Sequence, residues 1–533
     1  MKTVSDLVLW ESEDACFTDG LTSSRIKSIS LWVLLNGTMV RFMKYTPTKS
    51  GLLMTGLILF MTALYNGFKM KTKPWEHQLK ALEYLYQKDA AALYTKPGSG
   101  KTKIMIDLII NRGFKRVLVV APKKPCDVWP AQFMLHAGLG FDSIVLLQGL
   151  SADQKHKELE LAMAQPKDKL LVFIVNYESV WRQPLDKMLF YKKLGLDCVI
   201  CDESHRIKSP GSKCSKFLAR LGKIVPHRYL MTGTPLAENP MDVYAQYRFL
   251  DPGIFGTNYY SFCDQYQNVD TYLTAKIGHT MLDRNQPYKN LSILREKMFS
   301  CAFYMKSTVK LPKTTRMVIK VPMDDKTEAV YKDLIKEGAL ELGEGFMTVN
   351  NVLAMTIRKQ QVTSGYIPLE YDDGSKELKR ISTYRRTFLY KFLQGIPEEE
   401  PVVIFAKFRK DLYAIKKVAE RLGCGYSEVS GTEDTLAKWQ KGKTRIIGVQ
   451  YGSGSEGIDL TRSHICIFYG LDHSLAKYEQ ARKRVHRPGQ ESPCIYYHFV
   501  ATMSSGKTVD EEIIQCWKNK ENYVEAVMQG KFL

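Results

Sequence analysis

The sequence predicts an α/β protein built from two parallel-sheet domains in tandem, with a helical insertion between them. Three observations carry this. Short, almost wholly apolar runs such as Arg116–Ala121, Leu170–Asn176 and Cys198–Asp202 alternate with polar or amphipathic stretches, the signature of parallel strands buried on both faces. The pattern loosens after Asn239 and restarts at Val402. A chain of 533 residues is too long for one core and suits two or three domains.

The first 69 residues stand apart. Their apolar stretches, Ile29–Leu35 and Leu52–Tyr65, fall short of the roughly 18–20 residues of a membrane span. Asp6, Glu11, Glu13 and Asp14 precede the first stretch and argue against a signal peptide. No helical or strand period runs through the segment. The expectation is that Met70 is the natural start; a membrane-associating or partner-binding extension is the alternative. Beyond it the sequence divides into a first α/β domain over 70–245, a helical insertion over 246–385, a second α/β domain over 386–505 and a C-terminal brace helix over 506–533.

In the first domain, a helix over Glu76–Gln87 leads to a strand at Ala90–Tyr94, then Thr95-Lys-Pro-Gly-Ser-Gly-Lys-Thr102, then an apolar helix over Lys103–Asn111. Strand, glycine-rich loop, Lys-Thr and helix form a phosphate-binding loop in its required context. Glycines let backbone N–H groups turn toward phosphate oxygens, and the helix N-terminus adds its positive end. Thr95, Lys96, Pro97, Gly98, Ser99, Gly100, Lys101 and Thr102 are the nucleotide-binding set. Lys101 reaches the β- and γ-phosphates, and Thr102 ligates Mg²⁺. Thr95 stands where the first glycine of the GxxxxGK[ST] pattern usually does. Strands follow at Arg116–Ala121, Ser143–Gln148, Leu170–Asn176 and Cys198–Asp202, the last ending in Asp202-Glu203-Ser204-His205. An Asp at that strand tip is placed to hold Mg²⁺ beside Thr102, and Glu203 to position or deprotonate the attacking water. A further strand, Arg228–Met231, ends in Thr232-Gly233-Thr234-Pro235.

The second domain repeats the pattern without a phosphate loop. Its strands are Val402–Phe405, Arg445–Val449, Ile465–Tyr469 and Cys494–Val500, with helices over Lys410–Leu422 and Ser474–His486. Such a domain completes an ATP site only by supplying groups across a cleft. The segment Gln480-Ala-Arg-Lys-Arg484-Val-His-Arg487-Pro-Gly-Gln490 offers Arg484 and Arg487, three apart on one predicted helical face, as arginine fingers.

Gln78, GSGKT, DESH and TGTP occur in the order used by superfamily-two helicases. QARKRVHRPGQ then resembles motif VI of the Swi/Snf group of helicase-like ATPases. Asp202-Glu-Ser-His-Arg-Ile-Lys208, Leu230-Met-Thr-Gly-Thr-Pro-Leu-Ala-Glu-Asn239, Lys310-Leu-Pro-Lys313 and Tyr469-Gly-Leu-Asp-His-Ser474 agree with that group. The resemblance covers roughly residues 74–525. GSGKT replaces the group's usual GLGKT, and motif V reads Gly-Ser-Gly-Ser-Glu-Gly457-Ile-Asp459-Leu, nearer to the wider superfamily. With no accessory module evident, the chain looks like a small viral or bacterial member.

The resemblance implies two RecA-like domains that close on ATP and Mg²⁺ and step along duplex DNA. It implies that Gln78 reads the adenine, that Trp75 packs either beside the base or in the core, and that Gly457 and Asp459 touch the nucleotide or couple it to DNA. Thr232-Gly233-Thr234 would couple nucleotide state to DNA grip. Lys123, Lys124, Asn176, Lys407 and Ser453 are the candidate DNA contacts, made mainly to phosphates and so independent of sequence. One alternative, sharing every catalytic residue, is a strand-separating DNA or RNA helicase; others are the motor subunit of a repair or restriction complex and an inactive nucleic-acid-binding scaffold, against which the intact Lys101, Asp202, Glu203, Arg484 and Arg487 argue.

Composition fits this picture. Of the net charge of +20, residues 1–69 hold seven basic and five acidic side chains, so +18 belongs to the body and suggests a polyanionic partner. The eleven scattered cysteines favour a reducing compartment over a disulfide framework. The Cys198–Cys201 pair lies within a buried strand rather than at a metal site. The expected setting is cytoplasmic (host cytoplasm for a viral chain), with DNA, and protein partners in replication or repair, rather than a membrane.

Overall fold

The computed structural model describes residues 9–11, 29–35, 38–45 and 69–530, apart from 97, 183–184, 186–192, 278–279, 284, 306–310, 338, 343–344, 349–351, 372 and 452–457. The chain separates into two compact units, 1–70 and 71–533. In the first, β1 (Leu9–Glu11), β2 (Ile29–Leu35) and β3 (Thr38–Tyr45) pair in sequence as an antiparallel sheet, where the sequence had shown no strand period.

The second unit holds two lobes. The first is a seven-stranded, wholly parallel sheet of β4 (Ala90–Thr95), β5 (Arg116–Ala121), β6 (Ile144–Leu146), β7 (Leu171–Asn176), β8 (Cys198–Asp202), β9 (His227–Thr232) and β10 (Ala302–Met305), in the order β10-β4-β9-β8-β5-β7-β6. Residues of β5, β7 and β8 are buried throughout, as their unbroken apolar sequences require of strands covered on both faces. The order matters for the site. β9 lies between β4 and β8, so the phosphate loop, the TGTP segment and the DESH segment emerge side by side at the strands' C-terminal ends, where parallel sheets bind ligands.

The second lobe is a six-stranded parallel sheet that begins with β11 (Thr314–Pro322). A separate antiparallel sheet follows, with β12 (Ala339–Leu342), β13 (Gly345–Thr348), β14 (Tyr366–Tyr371) and β15 (Lys376–Arg380) in sequence order. β16 (Val402–Ala406), β17 (Tyr426–Val429), β18 (Ile446–Gln450), β19 (Ile465–Phe468) and β20 (Cys494–Thr502) complete the main sheet in the order β11-β20-β19-β16-β18-β17.

The stretch 246–385 is therefore not a self-standing helical insertion. β10 joins the first sheet beside β4, and β11 joins the second along all nine residues of β20. Tyr247, Phe249, Phe255, Phe262, Tyr266, Leu294 and Met298 bury in the first core, whereas Tyr331, Leu334, Val362, Ile367 and Leu369 bury in the second. Tyr247, Phe255, Phe262 and Tyr266 thus form buried stripes of helices lying on the first lobe, whereas Tyr260 and Tyr272 face outward. The C-terminal helix Val509–Gln529 spans both lobes: Ile513 and Trp517 enter the second core and Val527 the first. Its 21 residues reach about 30 Å.

Candidate active site

The phosphate loop begins where β4 ends. Gly98 and Gly100 take left-handed φ values of 82° and 78°, a conformation costly for other residues. Ser99 Oγ donates to Thr95 Oγ1 at 2.8 Å, and Lys101 Nζ donates to the Thr95 carbonyl at 3.2 Å. Thr95, which replaces a glycine of the usual pattern, thus closes the loop through its side chain. His77 Nε2 lies 2.9 Å from the Ser99 carbonyl, and Gln78 Nε2 donates to the same oxygen at 3.2 Å. A Cβ on Gly100 would fall 2.1 Å from Gln78 Nε2, so a larger residue there would also push the Gln78 amide aside.

Gln78 Oε1 accepts from the Trp75 N–H at 2.9 Å, so both ends of its amide are engaged as a loop brace. One N–H and one lone pair of the amide remain for an adenine edge. Trp75 is 55 % exposed, which removes the buried-core alternative. Lys96 is exposed, Thr102 is partly buried on the first turn of the helix Lys101–Arg112, and Pro97 lies outside the described residues.

Asp202 is the last residue of β8, and Glu203 turns the chain with φ 51° and ψ 54°, a rare left-handed setting for a side-chain-bearing residue. The turn sends the two carboxylates different ways. Asp202 stays buried and accepts from Trp129 Nε1 at 3.2 Å. Glu203 Oε2 accepts from Thr232 Oγ1 at 3.2 Å and lies 3.4 Å from His205 Nδ1. Burial and the adjacent Glu203 charge push the Asp202 carboxyl upward against the pull of Lys101. Burial also opposes the Glu203 charge, but His205, Lys101 and Lys483 together outweigh it and hold Glu203 ionised, as an acceptor of a water proton must be.

His205 carries the network across the cleft. Its Nδ1 lies 3.0 Å from Thr232 Oγ1, and its Nε2 lies 3.1 Å from Gln480 Nε2 on the helix Leu475–Val485 of the second lobe. With the proton on Nδ1, His205 donates to Thr232, Thr232 donates to Glu203, and Nε2 accepts from Gln480. Pro488 closes on the phosphate loop from the same side, its Cγ 2.9 Å from where a Gly98 Cβ would lie.

The arginines differ from the one-face expectation. The helix stops at Val485, with His486 at φ −98° and ψ 86°. Arg487 therefore lies in the following loop, because a residue before proline is driven out of the helical region by the ring of Pro488. Its Nη1 donates to the Ile458 carbonyl at 3.4 Å and pairs with Asp459 at 3.9 Å. Arg484 remains on the helix, where its carbonyl accepts from the Leu460 N–H at 3.1 Å. Gln490 pins the loop by donating to the Thr461, Ser463 and Val485 carbonyls. Lys483, three residues after Gln480, turns to the same pocket, where burial lowers its pKa and the charges of Glu479, Glu203 and Lys101 act on it.

The family model for the SNF2-related domain matches residues 77–365, over half of the chain, and that for the helicase conserved C-terminal domain matches 385–489. The chain belongs to the SNF2-related family. The matched spans run from the brace of the phosphate loop to the loop of the second lobe that closes on it. "DNA repair and recombination protein RDH54" of Saccharomyces cerevisiae is 23 % identical over 425 residues, covering 75 % of this chain and 45 % of that protein. "Putative protein p41" of Acyrthosiphon pisum secondary endosymbiont phage 1 is 24 % identical over 491 residues, covering 86 % and 99 %. A solved Sulfolobus solfataricus SWI2/SNF2 ATPase core in complex with dsDNA aligns with a TM-score of 0.38 at 18 % identity, over 87 % of this chain and 95 % of that one. This SNF2-related chain spans less than half the length of the yeast relatives it matches.

The five expected DNA contacts are placed unevenly. Lys123 and Lys124 are exposed just beyond β5. Asn176, at the tip of β7, is buried and donates to Glu178 at 2.8 Å. Lys407, just beyond β16, donates to Gln360 at 2.5 Å and lies 4.0 Å from Asp472. Ser453 and Gly457 lie outside the described residues. Sequence reasoning passed over His77, Trp129, His205, Gln480 and Lys483. His205 and Gln480 stood inside quoted motifs, and the i,i+3 and i,i+4 spacing of Gln480 to Lys483 and Arg484 was a usable signal; nothing in the sequence marked Trp129.

Proposed function

We propose that this chain is an ATP-driven motor that moves along duplex DNA. The observation that carries the reading is the facing of two incomplete half-sites: Gln480 meets His205 at 3.1 Å, and Pro488 seats against Gly98. The Mg²⁺ fit is supported by the donor set. Among the described residues no three His, Cys, Asp or Glu form a cage. One carboxylate (Asp202) and one hydroxyl (Thr102) beside a phosphate loop are what suits an ion that keeps waters and takes its other ligands from substrate phosphates. When bound, Mg²⁺ supplies charge neutralisation at the β- and γ-phosphates.

The chain's own groups do the rest. Backbone N–H groups of the loop and Lys101 cradle the phosphates. Glu203, held ionised by His205 and Lys101, orients a water and takes its proton as the water oxygen bonds to the γ-phosphorus and the bond to the ADP oxygen breaks. Arg484 and Arg487 approach from the second lobe and stabilise charge on the transferred group. Because these groups come from both lobes, hydrolysis and lobe opening are one event. Alternate grip of the lobes on a phosphate backbone, with Lys123 and Lys124 as exposed contacts and Asn176, Lys407 and Ser453 as further ones, turns that event into movement. The setting we propose is cytoplasmic, in the host cell for a viral chain, supported by the phage relative and by the free thiols of the ten described cysteines.

Displacement of a third strand from a triplex by the full chain tests the reading. ATP-dependent displacement without separation of the duplex strands supports a translocase. Release of a strand from a forked duplex or an RNA hybrid, with no triplex displacement, would move the assignment to an unwinding helicase.

A further inference from the structure

One carboxylate outside the chemistry gathers contacts from three parts of the molecule. Glu238 follows the TGTP segment in the first lobe. Its Oε1 accepts a short hydrogen bond from Ser474 Oγ of the second lobe and lies 3.6 Å from Lys208 Nζ, just beyond the DESH segment. Its Oε2 pairs with Lys520 Nζ of the C-terminal helix at 2.7 Å. Its side chain is 16 % exposed, so these partners largely replace water. Burial raises its pKa, but Lys520, Ser474 and Lys208 outweigh burial and keep it ionised.

Ser474 is the N-cap of the helix Leu475–Val485, its Oγ accepting from the Lys477 N–H at 3.3 Å while it donates to Glu238. The C-terminal helix reinforces the same joint. Lys520 also donates to the His473 carbonyl at 3.4 Å, and Trp517 donates to the Asp472 carbonyl at 3.1 Å. Trp517 stacks on Tyr478 of the finger-bearing helix at 4.1 Å and 15°. A helix held at its first residue is aimed along its whole length. Lys483 and Arg484 sit at its far end, about 13–15 Å from the cap at 1.5 Å per residue.

We propose that Glu238 is a positioning residue for phosphoryl transfer: by gripping the N-cap of the finger-bearing helix against the first lobe, it sets the angle at which Arg484 enters the ATP site. The proposal rests on the ATPase reading above. Glu238 touches no reacting atom and acts only through the second-lobe helix.

The test compares the full wild-type chain with Glu238→Gln, which keeps the shape and removes the charge, and with Glu238→Ala. ATPase is read at saturating duplex DNA. A misplaced reacting group costs up to about a hundredfold, so kcat is expected to fall roughly ten- to a hundredfold while KM for ATP stays within about twofold. In an Arg484→Ala background the same substitutions are expected to cost less than about twofold, because groups acting as a unit are not additive. An equal loss with and without Arg484, a loss confined to KM, or full activity overturns the proposal. If the wild type hydrolyses no ATP on any nucleic acid, the motor reading fails instead. The joint is then judged by hydrogen exchange at the Lys477 and Tyr478 amides: faster exchange in Glu238→Gln supports it, and unchanged exchange overturns it.

Discussion

Lowering the pH should loosen the second lobe through one buried histidine. His498, on β20, is 3 % exposed and stacks on Phe468 at 4.9 Å and 5°. Its Nε2 lies 2.9 Å from the Tyr478 hydroxyl and its Nδ1 lies 3.3 Å from the Met317 carbonyl. Burial lowers its pKa to about 4; the Met317 carbonyl opposes the shift, and Arg316 and Arg482 add to it. The folded value thus lies below the unfolded value of about 6.5. Protonation then favours the unfolded state, and stability present above pH 6.5 is lost as the pH falls toward 4. Two-state linkage for this one group gives a loss of about 2 kcal/mol between pH 7 and pH 5, and about 3 kcal/mol by pH 4. The assay is urea unfolding of the second lobe, followed by Trp fluorescence, in wild type and His498→Gln. The stability difference between the two proteins should shrink by about 2 kcal/mol from pH 7 to pH 5. A difference that stays constant across that range would refute a buried neutral imidazole. Because Tyr478 belongs to the finger-bearing helix, the same loss should lower ATPase activity more steeply in wild type than in the variant.

Other predictions concern the site. Lys483→Ala removes a buried cation beside Lys101 and Glu203; taking about 1 kcal/mol, the fully water-screened value for unit charges about 4 Å apart, as the lower bound, KM for ATP should rise at least about fivefold in steady-state assays. Trp129→Phe strips the Asp202 carboxylate of its buried donor, and the Mg²⁺ concentration for half-maximal ATPase should rise by about tenfold or more, the usual cost of losing a ligand's outer partner. Raising salt from about 50 to about 200 mM should weaken duplex DNA binding about a hundredfold if four phosphates are neutralised, and equally for unrelated sequences; fluorescence anisotropy on two duplexes of different sequence would check both.

The elements legible in the sequence were those whose burial is uniform. β5 and β8 match their predicted bounds because a strand buried on both faces is apolar from end to end. The phosphate loop, Asp202 and Glu203 were legible because chemistry confines them to strand tips. β10 was not, since a four-residue edge strand, half-buried beyond Ala302, carries no period. The helix Lys123–Ala137 was obscured by Pro125 and Pro130, which read as breakers although the helix runs through them. The division of 246–385 between the lobes was not legible, because which core buries Tyr247 or Phe262 on one side and Tyr331 or Leu334 on the other is a tertiary fact. Gln78 and Arg487 were named from the sequence, but their settings were not legible there. Gln78 turned back onto the phosphate loop, and Pro488 took Arg487 off the helical face.

The central claim is that the two lobes form one ATP site whose turnover is governed by DNA. It is tested most directly by the ATPase rate of the full chain with and without duplex DNA, single-stranded DNA and RNA, with Glu203→Gln as the control. The account predicts strong stimulation by duplex DNA that disappears in the variant while ATP binding is retained. A wild-type rate indifferent to nucleic acid, or a rate that survives Glu203→Gln, would contradict it.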